Sequence, residues 1–382
     1  MARKGVPTQD AYTSTMIAGE RNRVAKLAKE LGEHGADAFF AWHPVSMTYL
    51  NGFGEGAHER FLTLAVKLSG ETALICPALS ATQAKRSGIA DIRSWKDGED
   101  PLNLFRSLAD EWDLRSGILL VDDEMPAHML LRMQEALPAA LFKAGGDVIS
   151  DLMRVKDADE LRLMQRAADM ADQALAPALR QLRPGMTELE FDEILRNEMQ
   201  KLGGRPTFCI VATGANSAEP HHGSDDTPIK EGDVVLLDYG CSLEGYNSDT
   251  TRVVGLGRVP EEAHKVYGVV MRAQQAGRDA IRAGVPAQEI DRACRKVIEE
   301  AGYGEYFIHR TGHGIGLKGH EEPFIVEGAS RPLQEGECFS VEPGIYLPGK
   351  FGVRIENIVT PTLEGHISFN EEPSDHLIEV PV

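Results

Sequence analysis

The chain has 382 residues, of which 42% are hydrophobic and 6% aromatic, a composition typical of a globular protein long enough for two domains. Its net charge of −19 at pH 7 argues against nucleic acids and anionic membranes as partners. No apolar run is long enough to cross a bilayer or to form a secretory signal, and the five cysteines form no CxxC pair, so we expect a cytoplasmic protein.

Residues 1–153 are predicted to form one α/β domain, because helical and strand-like segments alternate along them. No GxGxxG motif follows the first strand, so nothing indicates a nucleotide site. In chain order we predict a helix over 17–31, a buried strand over 38–42, a strand pair over 61–68 and 72–76, helices over 80–87 and 102–111, and a buried strand over 117–121.

The second domain, residues 154–382, is predicted to have an α+β organisation. Asp157, with Glu160 three residues later, forms a capping-box signature that predicts the start of a long helix. A faint repeat relates residues 183–192 to residues 282–291 with a shift of 99 positions, and a carboxylate-bearing hairpin follows each copy. We therefore expect a pseudo-two-fold domain with its functional residues at the centre.

Two aspartates lie on a predicted hairpin of the second domain. Asp238 belongs to the apolar run 234–239 and Asp249 to the segment 246–254, with a turn at 243–245 between them. If the turn centres on its first two residues, the aspartates lie directly opposite each other and point from one face of the hairpin.

Two glutamates repeat this arrangement farther along the chain. Glu342 and Glu356 flank a turn at 348–350, and a centre at Gly349 places them opposite each other. Like charges held directly opposite are unfavourable unless a cation lies between them. Four carboxylates and the imidazole of His313 are the ligands that two divalent cations require, which predicts a dinuclear metallohydrolase.

Three histidines, at positions 309, 313 and 320, lie in the glycine-rich string HRTGHGIGLKGHEEP. The glycines disfavour a helix and allow the backbone to approach a ligand closely. Histidines at this density favour a binding site over isolated structural residues. The HExxH motif of zincins is absent.

The strings LDYG, SDTTR, HRTGHGIGL, SVEPGIY and VRIEN, with GANSAEPHH upstream, resemble the creatinase, aminopeptidase P and prolidase family of pita-bread metallopeptidases. The resemblance is close over residues 155–382, and the string YLNGF at 49–53 is similar to the family's creatinase-type N-terminal domain. The resemblance implies an α/β creatinase-like domain followed by an α+β pita-bread domain with pseudo-two-fold symmetry.

The resemblance also implies a role for each residue at the metals. Asp238 is expected to bind one metal alone, Asp249 and Glu356 to bridge both metals, and His313 and Glu342 to complete the other. Glu342 is further expected to take a proton from the attacking water and to pass it to the leaving nitrogen.

Four more residues match positions that the family uses around its substrate. His221 and His320 correspond to histidines that contact the substrate and stabilise the tetrahedral intermediate. The resemblance implies that His309 supports the same pocket and that Arg354 orients the bridging carboxylates. An ordinary ion pair is the alternative for Arg354.

Phe324 departs from the pattern of many prolidases, which carry at this position an arginine that pairs with the C-terminal carboxylate of the dipeptide. A phenyl ring cannot hold a carboxylate. Either another cation does so, or the enzyme accepts longer peptides, or the substrate is not a dipeptide. Arg60, in the loop 52–60, is a candidate substrate-binding cation, and the alternative is a solvated loop arginine.

The interpretation we favour is a cytoplasmic Xaa-Pro dipeptidase, or prolidase, that acts on small peptides as a homodimer with two divalent ions. Mn2+ is the first choice of ion, and Co2+, Zn2+ or Fe2+ suit the same ligands. The alternatives are an aminopeptidase P that acts on longer Xaa-Pro peptides, a non-peptide hydrolase or lyase of the same fold, and a non-catalytic peptide-binding module.

Overall fold

A computed structural model describes residues 22–56 and 58–382, and the chain divides into two compact units between Met153 and Arg154. The predicted helix over 17–31 begins outside the described residues, and within them helix α1 covers 22–33. Residues 1–16, where no signal segment is expected, also lie outside them.

The first unit is built on a single six-stranded sheet. Its strands are β1 (Ala38–Ala41), β2 (Thr63–Lys67), β3 (Thr72–Pro77), β4 (Ile92–Trp95), β5 (Ile118–Val121) and β6 (Leu141–Ala144). The strand order is β4-β3-β2-β1-β5-β6, and β1 pairs antiparallel with β2 and parallel with β5. The helices are α2 (Pro44–Asn51), α3 (Ala81–Arg86), α4 (Leu102–Glu111), α5 (Ala127–Ala136) and α6 (Gly146–Arg154).

The elements that the sequence predicts in this unit correspond to β1, β2, β3, α3, α4 and β5. All four residues of β1 are buried, in agreement with the predicted buried strand. The prediction did not include β4 and β6, the two edge strands. Their side chains are mostly half-buried or exposed, so they lack the apolar pattern that marks a strand in a sequence.

Two five-stranded sheets and a separate hairpin form the strand framework of the second unit. Its strands are β7 (Arg205–Thr213), β8 (Val234–Leu243), β9 (Tyr246–Asn247), β10 (Thr250–Leu256), β11 (Gly312–Gly314), β12 (Glu321–Ile325), β13 (Phe339–Val341), β14 (Gly344–Leu347), β15 (Phe351–Arg354), β16 (Asn357–Pro361), β17 (His366–Ser368) and β18 (Ile378–Val380). One sheet has the order β18-β10-β8-β7, with β9 paired to β8, and the other has the order β12-β11-β13-β16-β17. The hairpin is β14-β15.

The helices of the second unit are α7 (Ala158–Leu179), α8 (Glu188–Lys201), α9 (Glu261–Asp279) and α10 (Ala287–Glu300). The predicted capping box is confirmed at α7, where the Asp157 carboxylate accepts the Glu160 N–H and the Glu160 carboxylate accepts the Asp157 N–H. Helices α7 and α8 share one hydrophobic core with β7, β8 and β10, and α9 and α10 share another with β12 to β16.

The faint sequence repeat recurs in the structure with the same shift of 99 residues. Gly185 and Gly284 both adopt a left-handed backbone, with φ of 89° and 90°, just before α8 and α10. Asp192 of α8 and Asp291 of α10 each form an ion pair with the arginine one turn later. Both helices have 14 residues. The predicted pseudo-two-fold organisation is therefore confirmed.

Two further features concern the helices and the cysteines of the described residues. Among residues 22–56 and 58–382, no helix is both long enough and apolar enough to pass through a bilayer. The five cysteines are all buried and free, as the absence of a paired cysteine motif predicts.

Candidate metal centre

The hairpin that carries Asp238 and Asp249 has a different register from the predicted one. Its turn centres on Glu244 and Gly245, which have φ of 50° and 89°, one residue later than expected. Asp238 therefore pairs with Thr251. The prediction that the two aspartates lie directly opposite each other was wrong, but an offset of two residues keeps both carboxylates on one face as diagonal neighbours.

Glu342 and Glu356 lie beside a second hairpin, β14-β15. One continuous register relates β13 to β16 and β14 to β15, so the two glutamates occupy corresponding positions, as a turn centred on Gly349 predicts. The backbone N–H of Glu356 donates to the carbonyl of Thr251 at 3.2 Å. This hydrogen bond links the glutamate pair to the strand that follows Asp249.

His313 is buried in β11 and presents one ring nitrogen to the carboxylates. Its Nδ1 lies 3.0 Å from the carbonyl oxygen of Gly314, and since a carbonyl only accepts, Nδ1 carries the proton. Burial lowers the pKa of His313 to about 4, so the ring is neutral at pH 7. Its Nε2 carries no proton and lies 3.7 Å from Asp249 Oδ2 and 3.4 Å from Glu342 Oε1. A neutral ring with a lone pair on this nitrogen is the form in which histidine binds a metal.

The buried carboxylates around His313 leave oxygen atoms without partners. Among the described residues, no hydrogen-bond donor serves Asp238 Oδ1, Asp249 Oδ1 or Glu356 Oε1. One potential ligand atom each of Asp249, His313 and Glu356 lies within 4.8 Å of the others. Burial, followed by neighbouring carboxylates, raises the pKa of Asp249 and of Glu356 well above its ordinary value. Crowded anionic oxygens with no partner fit divalent cations, so these residues suit a metal centre.

Arg354 connects two of the candidate ligands. Its Nη2 donates to Asp238 Oδ2 at 2.6 Å, and its Nε donates to Thr251 Oγ1 at 3.0 Å. The Thr251 hydroxyl in turn donates to Glu356 Oε2 at 2.6 Å. Arg354 is itself buried, so it fixes the orientation of both carboxylates from inside the unit. This contact set is larger than that of an isolated ion pair.

His309 and Tyr346 extend the same network. His309 Nδ1 lies 2.7 Å from the carbonyl of Arg310, so Nε2 accepts from the Tyr346 hydroxyl at 2.8 Å. The Tyr346 oxygen accepts from Arg354 Nη1 at 2.9 Å. Burial raises the pKa of Tyr346 to about 12, so its hydroxyl keeps the proton that this arrangement needs.

His221 and His320 are exposed side chains next to buried groups of the centre. The ring of His320 lies 3.7 Å, centroid to centroid, from the ring of His313. His221 follows Pro220, whose carbonyl accepts a 3.4 Å hydrogen bond from Arg354 Nη1. Both histidines are therefore accessible to a ligand of the centre.

A second group of potential ligands, formed by Glu188, His222 and Asp225, lies in the same unit. Glu188 accepts from the N–H of Thr213, the amide of Asn216, the ring of His222 and the N–H of Asp225. These four hydrogen bonds fill both carboxylate oxygens, so this group is a satisfied structural cluster.

Phe324 lies opposite His313 in the β11-β12 ladder, so the two side chains share a face of the sheet. The central guanidinium carbon of Arg310 is 4.3 Å from the centroid of the Phe324 ring. In the first unit, Arg60 donates from Nε and Nη2 to the two oxygens of Asp97 at 3.3 and 3.2 Å. The Nε and Nη2 groups of Arg60 are thus already bonded to the carboxylate of Asp97.

Sequence reasoning did not single out Thr251, Tyr346 or Arg310. The first two lie inside the strings SDTTR and SVEPGIY, but neither is a metal ligand or a charged group, and their contacts are with residues far away in the chain. Arg310 lies between His309 and the next glycine of the histidine-rich string. Its positive charge in that string is the signal that could have found it.

Comparisons with known proteins agree over both units. A family model described as metallopeptidase family M24 matches residues 162–362, and one described as the creatinase/prolidase N-terminal domain matches residues 23–155. A probable dipeptidase, PepE, of Mycobacterium tuberculosis (strain ATCC 25618 / H37Rv) is 37% identical over 94% of this chain and 96% of that protein.

Two solved structures are similar over nearly the whole chain. A prolidase from Thermococcus sibiricus has a TM-score of 0.90 and 34% identity, covering 95% of this chain and 99% of that one. An X-Pro aminopeptidase from Thermotoga maritima MSB8 has a TM-score of 0.85 and 31% identity, covering 94% of this chain and 99% of that one.

Proposed function

Because this chain belongs to metallopeptidase family M24, we propose that it hydrolyses the Xaa-Pro peptide bond of dipeptides with two divalent metal ions. The similarity to a dipeptidase and to a prolidase over nearly the whole chain supports this substrate class. It also favours an enzyme over a peptide-binding module. The observation that carries the proposal is the set of unpartnered carboxylate oxygens around the neutral ring of His313.

Asp238, Asp249, His313, Glu342 and Glu356 are the residues that we assign to the two ions. The family resemblance implies that Asp249 and Glu356 would bridge the two ions, and each is buried with one oxygen that has no partner among the described residues. When bound, the ions supply Lewis-acid polarisation of the scissile carbonyl and lower the pKa of the attacking water. Arg354 holds the outer oxygen of Asp238 and leaves Oδ1 available.

Glu342 is the proposed proton carrier. Burial raises the pKa of Glu342, an effect that His309 and Arg354 partly offset, so its carboxylate accepts a proton more readily than an exposed one. The Ser340 hydroxyl donates to Oε1 at 3.0 Å. We therefore assign Oε2 to take the proton from the attacking water and to deliver it to the prolyl nitrogen.

The exposed histidines are assigned to the substrate. In this assignment His221 and His320, both exposed, contact the peptide and stabilise the charge that develops on the scissile carbonyl oxygen. His309 has its Nδ1 on a backbone carbonyl and its Nε2 on Tyr346, so it shapes the pocket through a fixed ring orientation.

Several finer features belong to the same proposal. We assign Mn2+ as the native ion, a homodimer as the working state, and residues 1–153 and 154–382 as the two domains. A cytoplasmic location is supported by five buried cysteines that are all free.

Aminopeptidase P activity is the second candidate, because the X-Pro aminopeptidase of Thermotoga maritima is similar over nearly the same length and because position 324 is not arginine. Hydrolysis of Ala-Pro and Ala-Pro-Ala, measured with Mn2+ and again with EDTA, separates the two candidates. Metal-dependent cleavage of Ala-Pro alone supports the dipeptidase, and cleavage chiefly of Ala-Pro-Ala supports the aminopeptidase. If the metal-loaded protein cleaves neither peptide, the peptidase proposal fails and a small zwitterionic substrate takes its place.

A further inference from the structure

A dipeptide brings its own terminal carboxylate close to the reacting bond. Three bonds separate the scissile carbonyl carbon from the carboxylate carbon of proline, which limits their separation to about 4 Å. The cation that binds this carboxylate must therefore belong to a residue close to the metal ligands. Phe324 occupies the position where many prolidases carry that cation.

Arg310 is held beside Phe324. Its guanidinium carbon lies 4.3 Å from the ring centroid, within the range of a cation–π contact. Phe324 shares a face of the β11-β12 ladder with His313, and Arg310 precedes His313 by three residues.

Among residues 22–56 and 58–382, no carboxylate pairs with the guanidinium of Arg310. Within the described residues, the guanidinium forms neither an ion pair nor a hydrogen bond with another side chain. It makes a cation–π contact with the Phe324 ring. Arg354, by contrast, is committed to Asp238, Thr251 and Tyr346. Arg310 is half-buried, so part of the residue remains exposed to solvent.

We propose that Arg310, positioned by the ring of Phe324, binds the C-terminal carboxylate of the dipeptide substrate. The aromatic face orients the guanidinium, and the planar N–H fork matches a carboxylate in two parallel hydrogen bonds. Arg310 then supplies from the loop before β11 the charge that many prolidases supply from position 324. This inference rests on the proposed function and makes Arg310 a determinant of dipeptide specificity.

The test compares Ala-Pro with Ala-prolinamide, which has no terminal carboxylate, in the full-length protein loaded with Mn2+. In Arg310→Ala we expect the KM for Ala-Pro to rise about 10- to 100-fold, the loss of one charge-assisted contact, with kcat changed only a few-fold. The KM for Ala-prolinamide should remain at the wild-type value. Arg292→Ala, which removes an exposed arginine of α10, is the matched control and should change neither constant.

A KM for Ala-Pro that changes no more than in the control overturns the proposal, and so does an equal loss for both substrates. If Arg310→Ala does not fold, as circular dichroism would show, Arg310→Gln is measured in its place, because it keeps the first part of the aliphatic chain and a polar end without the charge.

A binding measurement separates failure of this inference from failure of the proposed function. L-Proline should raise the Tm of the wild-type protein more than L-prolinamide does, and this difference should disappear in the Arg310 variant. If the wild-type protein cleaves neither substrate, the proposed function fails, and the proline comparison alone decides the role of Arg310. Equal Tm shifts in wild type and variant overturn that role.

Discussion

Arg354 donates from Nη2 to one oxygen of Asp238 at 2.6 Å, while the other oxygen of that carboxylate has no partner among the described residues. The same guanidinium reaches Thr251 through Nε and, through that hydroxyl, the carboxylate of Glu356. One buried cation therefore orients two proposed metal ligands without occupying the oxygens that metals would use.

Arg354→Lys is expected to reduce metal affinity about 10- to 100-fold, because an ammonium cannot contact Asp238, Thr251 and Tyr346 in the directions of a guanidinium. Metal content after dialysis against buffers of graded free Mn2+ measures the change. Arg292→Lys is the control, since the ion pairs that Arg292 forms with Glu289 and Glu327 are exposed. Wild-type metal affinity in Arg354→Lys would show that the positive charge alone is sufficient.

Glu342→Gln is expected to lower kcat about 100- to 10,000-fold while the fold is retained, because the proposed proton acceptor is lost and the amide keeps the size of the side chain. Initial rates on Ala-Pro, together with circular dichroism, measure both quantities. The exposed Glu335→Gln should behave as the wild type. A Glu342→Gln protein with full activity would exclude Glu342 as the proton carrier.

Metal binding is expected to stabilise the protein, because it removes the repulsion among buried carboxylates that have unpartnered oxygens. Ligand at about 1,000 times its Kd adds about 4 kcal/mol to the free energy of unfolding. Thermal unfolding with EDTA and with added Mn2+ measures the effect as a rise in Tm. Asp249→Asn should shrink the rise and lower the metal content, whereas the exposed Asp226→Asn should not. Two ions per chain in Asp249→Asn would contradict its bridging role.

Asp172 of α7 is expected to make stability depend on pH away from the metal centre. Burial raises the pKa of Asp172 to about 6, although its carboxylate accepts the Glu371 N–H at 2.7 Å. The folded state therefore holds this proton more tightly than the unfolded state, so the contribution of Asp172 to stability falls as pH rises from about 4 to about 6. Asp172→Asn should gain stability relative to wild type between pH 4.5 and pH 7, as urea unfolding at the two pH values measures.

Asp169→Asn, one turn earlier on the same helix and exposed, is the control for this prediction. The difference between Asp169→Asn and wild type should be the same at both pH values. The assignment to Asp172 fails if Asp172→Asn shows the same constancy.

The sequence predicted local features of the fold, but it did not predict the register of the hairpin that carries Asp238 and Asp249. The capping box of α7 depends on residues three positions apart, so the letters Asp157 and Glu160 are enough to predict it. The turn before Asp249 depends on which two residues accept a positive φ. Glu244 does so together with Gly245, and a non-glycine residue in that conformation cannot be foreseen from its type.

The candidate metal centre likewise has features that the sequence predicted and features that it did not. Its candidate ligands are charged residues or histidines in distinctive strings, so the sequence alone singled them out. The contacts of Tyr346 with His309 and of Arg310 with Phe324 join residues on different elements. Such contacts depend on how strands pack in three dimensions, and no spacing in the sequence encodes them.

The 99-residue repeat has a consequence for how the centre is assembled. The half of the second unit that follows the first copy of the repeat contributes Asp238 and Asp249, and the half that follows the second copy contributes His313, Glu342 and Glu356. Neither half alone carries the imidazole together with all four carboxylates. The centre is therefore assembled between the two halves, as a site at an interface between two subunits would be. Metal affinity should consequently depend on how well the two halves pack against each other. A substitution in the core between them, far from any ligand, should therefore weaken metal binding.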